Sequence, residues 1–161
     1  MSIKVFIRDI KILLIGSVSS KIALFLRLSR NLDQSSKLRK VLFSRMELYG
    51  VHISANAQIG EGFKLPHPVG IVIGEGVVIG KNVKIFQNVT LGGKQIGDAK
   101  QLNYPTVGDN VVIFAGAVVV GKIRIGNNSI IGSNAFIQKD IPDGATCVGV
   151  PGRVIFKSNK E

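Results

Sequence analysis

Residues 107–137 read VGDNVVIFAGAVVVGKIRIGNNSIIGSNAFI, and an aliphatic side chain falls on every sixth position. Val107, Ile113, Val119, Ile125, Ile131 and Ile137 keep step through the whole stretch. Outward from it, Ile73, Ile79, Ile85 and Leu91 make a second run, and Ile53, Ile59 and Leu65 a third. Four places after most of these comes a second small or β-branched position: Ala57, Val77, Val83, Val89, Val111, Ala117, Ser129 and Ala135. Glycine often follows the aliphatic residue directly, as at Gly60, Gly80, Gly108 and Gly126. Phe86 and Phe114 take that place in two repeats. A period of six suits neither a helix nor a long amphipathic strand. It suits a parallel β-helix, in which each hexapeptide is one short strand and one turn. Three hexapeptides close one triangular coil, so the chain holds about four to five coils.

The beat is interrupted twice. Eight residues separate Leu65 from Ile73 where six would keep phase, and the surplus lies in Pro66-His67-Pro68-Val69-Gly70. Pro68 biases His67 toward extended backbone and Pro66 removes a donor. His67 therefore belongs to a stiff, extruded turn. An imidazole with an ordinary pKa of about 6.5 can take a proton from an attacking hydroxyl at neutral pH. The bland alternative is a plain surface histidine. The second interruption runs from Leu91 to Val107, sixteen residues apart where twelve would keep phase. Residues 92–106 then form a loop thrown out from the column, and long loops on compact scaffolds carry binding. Gly92-Gly93 can present bare backbone amides to an acyl oxygen or a phosphate.

The chain is basic, with a net charge of +11, and the charge is uneven. Residues 1–45 carry ten Lys and Arg against Asp9 and Asp33, a net of +8. Apolar residues there recur at helical spacing: Phe6, Ile10, Leu13 and Leu14; Leu24, Leu28 and Leu32; Leu38, Val41, Leu42 and Met46. Lys11, Lys21 and Arg27 interrupt every long apolar run, so a membrane span is not expected. Ile12–Ser20 is too short for a secretory signal and more basic residues follow it. Two roles fit this segment: a helical cap over the open end of the column, and a basic amphipathic surface in peripheral membrane contact through residues 1–45. No nucleic-acid recognition motif accompanies the charge. The chain divides into a basic helical segment over 1–49, a β-helix over 50–142 and a tail over 143–161. Cys147, the single cysteine, suits a buried apolar role in a reducing, cytoplasmic setting. No metal is expected, because His52 and His67 are the only histidines and a three-histidine zinc site needs one more.

Three motifs carry a resemblance. Lys64-Leu65-Pro66-His67-Pro68-Val69-Gly70-Ile71-Val72-Ile73-Gly74-Glu75, then Val89-Thr90-Leu91-Gly92-Gly93, then Val148-Gly149-Val150-Pro151-Gly152-Arg153-Val154-Ile155 resemble the hexapeptide-repeat acyltransferases. The subgroup is serine acetyltransferase-like, which includes enzymes that acetylate surface polysaccharides or their precursors. The resemblance covers about residues 50–156. It implies a mainly β fold, a left-handed parallel β-helix, assembled as a homotrimer with active sites between subunits and acetyl-CoA as donor. It implies His67 as general base and Gly92-Gly93 along the acyl end of CoA. It further implies CoA contacts at Ala115, Ser133, Lys139 and Arg153, the last two suited to phosphates.

The departures choose the acceptor. Where serine acetyltransferases have an aspartate before the histidine, this chain has Pro66. Where they have a second, pairing aspartate, it has His52. Their loop offers an Arg-His pair to the amino acid, and here Asn103 and Tyr104 take those positions. Amino-acid recognition needs a cation for the carboxylate. These changes point to a hydroxyl of a sugar, met by the enzyme at the inner membrane face. Serine O-acetylation and a non-catalytic scaffold are the alternatives.

Overall fold

The computed structural model describes residues 3–155. Three helices lead: α1 (Ile3–Ile15), α2 (Val18–Ser29) and α3 (Lys37–Glu47). Gly16 separates the first two, and Ser17 caps α2 by accepting from the Ser20 amide. Ser36 caps α3 in the same way.

Beyond them the chain winds into a three-sided parallel column of five coils. The first face stacks β1 (Val51–Ile53), β3 (Ile71–Ile73), β6 (Thr90–Gly92), β9 (Val118–Val120) and β12 (Phe136–Ile137). The second stacks β2 (Gln58–Ile59), β4 (Val78–Ile79), β7 (Thr106–Val107) and β10 (Arg124–Ile125), with Ile141 bridging Ile125. The third stacks β5 (Lys84–Ile85), β8 (Val112–Ile113), β11 (Ile130–Ile131) and β13 (Thr146–Val148), with Lys64 bridging Lys84. The last strand, β14 (Arg153–Ile155), folds back antiparallel on β13. The thirteen in-phase aliphatics point inward and are buried, Ile59 only in part. The second inward set is buried throughout, and Ser129 hides its hydroxyl by donating to the Pro142 carbonyl at 2.8 Å.

The turns are as repetitive as the strands. At the edge between the second and third faces, Asn82, Asn110 and Asn128 each adopt φ near 57°. Their side chains bond upward in a ladder, Asn82 to Asn110 at 3.3 Å and Asn110 to Asn128 at 3.2 Å. Asparagine tolerates the left-handed region better than other side-chain-bearing residues, which fits it to this corner. Asp109 belongs to a parallel ladder: it accepts the Lys81 amide at 2.7 Å, and its own amide donates to Asn127.

Pairing register counts the residues in each coil. Val72 pairs with Thr90, eighteen on, the regular coil. Val51 pairs with Ile71, twenty on, so the histidine turn adds two. Thr90 pairs with Val118, twenty-eight on. The loop therefore adds ten residues where the phase showed four, because a period of six reveals only a remainder. Its excursion spans 93–105 and contains a short helix, α4 (Asp98–Gln101). A third slip shortens the last coil by two residues. Ile130 pairs with Thr146, sixteen on, and the beat resumes at Ile141 and Cys147. The boundary expected at 142 thus lies inside the column, which runs to Val148.

The helices close the lower end. Ile22, Phe25, Leu26, Phe43 and Met46 join one buried cluster with Val51, Ile53, Ala57, Phe63 and Leu65. Arg39, also buried, donates to the carbonyls of Ser29, Ala55 and Ala57. One guanidinium so serves the end of α2 and the first turn of the column. The expected cap is present, but α1 turns its face the other way. Phe6, Ile10, Leu13 and Leu14 share a side and all are exposed.

Candidate active site

His67 sits where the third face turns into the first. The turn is held at both ends. The Ser19 hydroxyl of α2 donates to the Pro66 carbonyl at 3.2 Å, and the Asn88 amide donates to the Val69 carbonyl at 2.9 Å. Inside it, the Val69 amide donates to the His67 carbonyl at 2.9 Å. Gly70 has φ 65°, and a side chain there would strike Asn88. The backbone is fixed while the imidazole is exposed. Among the described residues the ring makes no hydrogen bond, and its aromatic neighbour is Phe86, centroids 6.1 Å apart and tilted 47°. Phe86 in turn stacks on Phe114 at 5.1 Å and 17°. The two phenylalanines that break the glycine pattern therefore form an aromatic step beside the histidine. His52 lies on the first face opposite Val72 and meets Glu47, Nδ1 to Oε1, at 2.9 Å. That carboxylate serves His52, not His67.

Ala115 and Ser133 follow on the same edge. The Gly116 amide donates to the Gln87 carbonyl, and the Asn134 amide to the Ala115 carbonyl, so Gln87, Ala115 and Ser133 occupy matching corners of successive coils. Gln87 also presents a buried side-chain oxygen with no partner among the described residues. An unmet buried acceptor costs free energy, which a donor from a ligand or a neighbouring chain would recover. At the far end, Lys139 lines a cavity of about 270 Å³ with Pro151, Gly152 and Val154. Arg153 pairs with Val148 through β14 and is exposed.

The glycine pair and the loop occupy a different edge, where the first face turns into the second. Asp98 organises the loop. Its carboxylate accepts the Lys94 and Gln95 amides at 2.6 Å and the Asn103 side-chain amide at 3.0 Å. The Asn103 bond, foremost, with the backbone donors holds its pKa below the usual carboxylate value. A side chain at Gly93 would sit 2.8 Å from Asp98 Cβ, so the close approach requires glycine. Asn103 is occupied inward, its amide also reaching Gln101 at 2.9 Å. Tyr104 lies flat over the Gly74-Glu75-Gly76 turn, where a Cβ on Gly74 would meet its ring at 2.6 Å.

The expected site residues thus fall into two groups. His67, Ala115 and Ser133 follow one edge, with Arg153 near its top. Gly92, Gly93, Asn103 and Tyr104 follow another, with Lys139 at its top between Ile137 and Ile141. Four to five extended residues separate the edges, on the order of 15 Å. One chain does not bring the groups together. Sequence reasoning missed Asp98, Gln87 and the aromatic step. The two phenylalanines at the glycine phase were the visible signal for the last. Cys147 is buried, and desolvation pushes its thiol pKa up, which suits packing and not nucleophilic attack.

Comparison with known proteins agrees with this geometry. Residues 104–139 match the bacterial transferase hexapeptide (six repeats) family. The serine acetyltransferase of Synechococcus elongatus is 44% identical over 111 residues, which is 69% of this chain and 45% of that protein. That of Mycobacterium tuberculosis is 47% identical over 116 residues, 72% of this chain and 49% of its own length. Among solved structures, a serine acetyltransferase in complex with CoA superposes with a TM-score of 0.76 and 32% identity, covering 90% of this chain and 60% of that one. The Neisseria gonorrhoeae serine acetyltransferase gives 0.77 and 36%, covering 94% and 58%. The chain spans about half the length of the curated relatives it matches. With the six-residue column, the histidine turn and these matches in one molecule, the chain belongs to the hexapeptide-repeat acyltransferases, in their serine acetyltransferase-like subgroup.

Proposed function

We propose that this chain is an acetyl-CoA-dependent O-acetyltransferase that works as a homotrimer. The observation that carries the reading is the edge on which His67, Gln87, Ala115 and Ser133 stand in line. His67 lies at its foot on a fixed turn with a free ring, and Arg153 lies near its top. A cation at one end suits the phosphates of CoA, where Lys139 at the top of a neighbouring subunit's loop edge would join it, and a base at the other suits the acceptor. The similarity to a CoA-bound relative over nine-tenths of the chain supports the same placement.

His67 takes the proton of the acceptor hydroxyl as its oxygen attacks the thioester carbon. The carbon–sulfur bond breaks, and the imidazolium returns the proton to the departing thiolate. Backbone amides at Gly92-Gly93 face the carbonyl oxygen as its charge grows. This needs both edges in one cleft, and a threefold assembly supplies it by setting the loop edge of one subunit against the histidine edge of the next. The neighbouring subunit is then also the source of whatever orients His67.

The named relatives favour serine as the acceptor over the sugar expected from the loop. One observation keeps the sugar reading as the second: Asn103 and Tyr104 are engaged within their own loop and present no cation to a carboxylate. CoA release measured with L-serine, and then with sugar acceptors, separates the two. Robust serine turnover is the expected result, and sugar-only turnover would overturn it. No release with either would overturn the transferase reading itself.

A further inference from the structure

We infer that α1 is a docking surface for an anionic phospholipid bilayer, lying flat in the interface. The helix has three sides. Val5, Asp9 and Ile12 turn toward α2 and are buried or half-buried. Phe6, Ile7, Ile10, Leu13 and Leu14 form the opposite side, between 41% and 74% exposed, a continuous apolar stripe in water. Lys4, Arg8 and Lys11 form a basic row along one flank and are exposed. The one acid of the helix, Asp9, is turned inward and bridged by Arg27 and Arg8. The outer surface of α1 therefore carries apolar and cationic groups and no anion.

That pairing decides the occupant. An apolar stripe alone would suit a second copy of the chain equally well. Two copies joined by this stripe would bring their basic rows together, whereas anionic headgroups neutralise the row as acyl chains receive the stripe. Thirteen residues make a helix of about 20 Å, short of the roughly 30 Å hydrocarbon core, so α1 lies along the surface and does not cross it. No described helix is long and apolar enough to span a membrane. The docked face leads directly to the site, because Ser19, four residues beyond α1, holds the turn of His67. The end of the column that carries the histidine then faces the lipid.

The test is co-sedimentation of the full chain with phosphatidylcholine vesicles, with and without phosphatidylglycerol. Binding is expected only with the anionic lipid and is expected to fall at least tenfold in about 1 M salt, where the Debye length is about 3 Å. The double variant Phe6→Ser, Leu14→Ser changes two exposed side chains away from the site, and it should lose vesicle binding at least tenfold with unchanged thermal melting. Three results would each overturn the proposal: no sedimentation with anionic vesicles at low salt, equal binding to neutral vesicles, or a double variant that binds normally. A double variant that instead drops to a smaller assembly by light scattering would assign the stripe to a second copy.

Discussion

The edge that bears His67 and the edge that bears the loop solve the same problem oppositely. The histidine edge departs from the repeat by two residues and is fixed from outside, by Ser19 below and Asn88 above. The loop edge departs by ten and is fixed from within, by a single carboxylate that gathers three donors. A short slip can borrow its order from the neighbouring coils, whereas a long one must carry its own. The histidine turn therefore shares the stability of the column, and the loop depends on Asp98.

Removing the base should have the largest effect. His67→Ala is expected to lower kcat/KM roughly 10²–10⁴-fold with no change in melting, read by CoA release. Asp98→Ala should be next, about 10²-fold, because displaced loop residues no longer meet the acceptor. Its signature is faster proteolytic cutting between residues 93 and 105. The two variants also test the division between subunits. Co-refolded in equal amounts, they should recover about a quarter of wild-type sites if each site takes one edge from each of two chains. No recovery would place both halves of the site in one chain.

Acid should loosen the loop edge before the column. The Asp98 pKa is lowered in the fold, so its contribution is present above the ordinary carboxylate value and is lost as pH falls through the lowered one. Loop cutting is therefore expected to rise below about pH 4 while the β signal in circular dichroism persists. Phe114→Gly restores the glycine of the repeat and removes the ring stacked on Phe86. The pair is worth about 0.5–1.5 kcal/mol, so a decrease in activity of about tenfold at most is expected. The smallest effect should be at Cys147, which should resist alkylation in the folded protein and react on unfolding.

The column was legible because each hexapeptide repeats the same demand: one aliphatic residue inward, then a turn. Ile113 and Ile131 could be placed inward without knowing anything else about the chain. What escaped was whatever a remainder hides. The loop showed four extra residues and has ten. The step from Ile137 to Ile141 looked like the end of the repeat and is a shortened side. Helical spacing grouped Phe6, Ile10, Leu13 and Leu14 correctly, but a period says which residues share a face, not where that face points. His67 was singled out by its break in phase. Its lack of a carboxylate partner is visible at Pro66 and His52, while its actual neighbour, Phe86, shows in the sequence only as a residue at the glycine phase. Tyr104 and Asn103 were noticed for what they replace, and their engagement with Gly74 and Asp98 is a matter of folding at long range.

The reversed strand β14 has a consequence for how the molecule behaves in a crowd. A parallel column ends in a row of open backbone groups onto which another such column could add, end to end, without limit. Running antiparallel, β14 covers the third face at β13 with a strand of the wrong polarity to continue the winding. With the helices seated at the other end, it leaves that face no open strand of matching polarity onto which a second column could add.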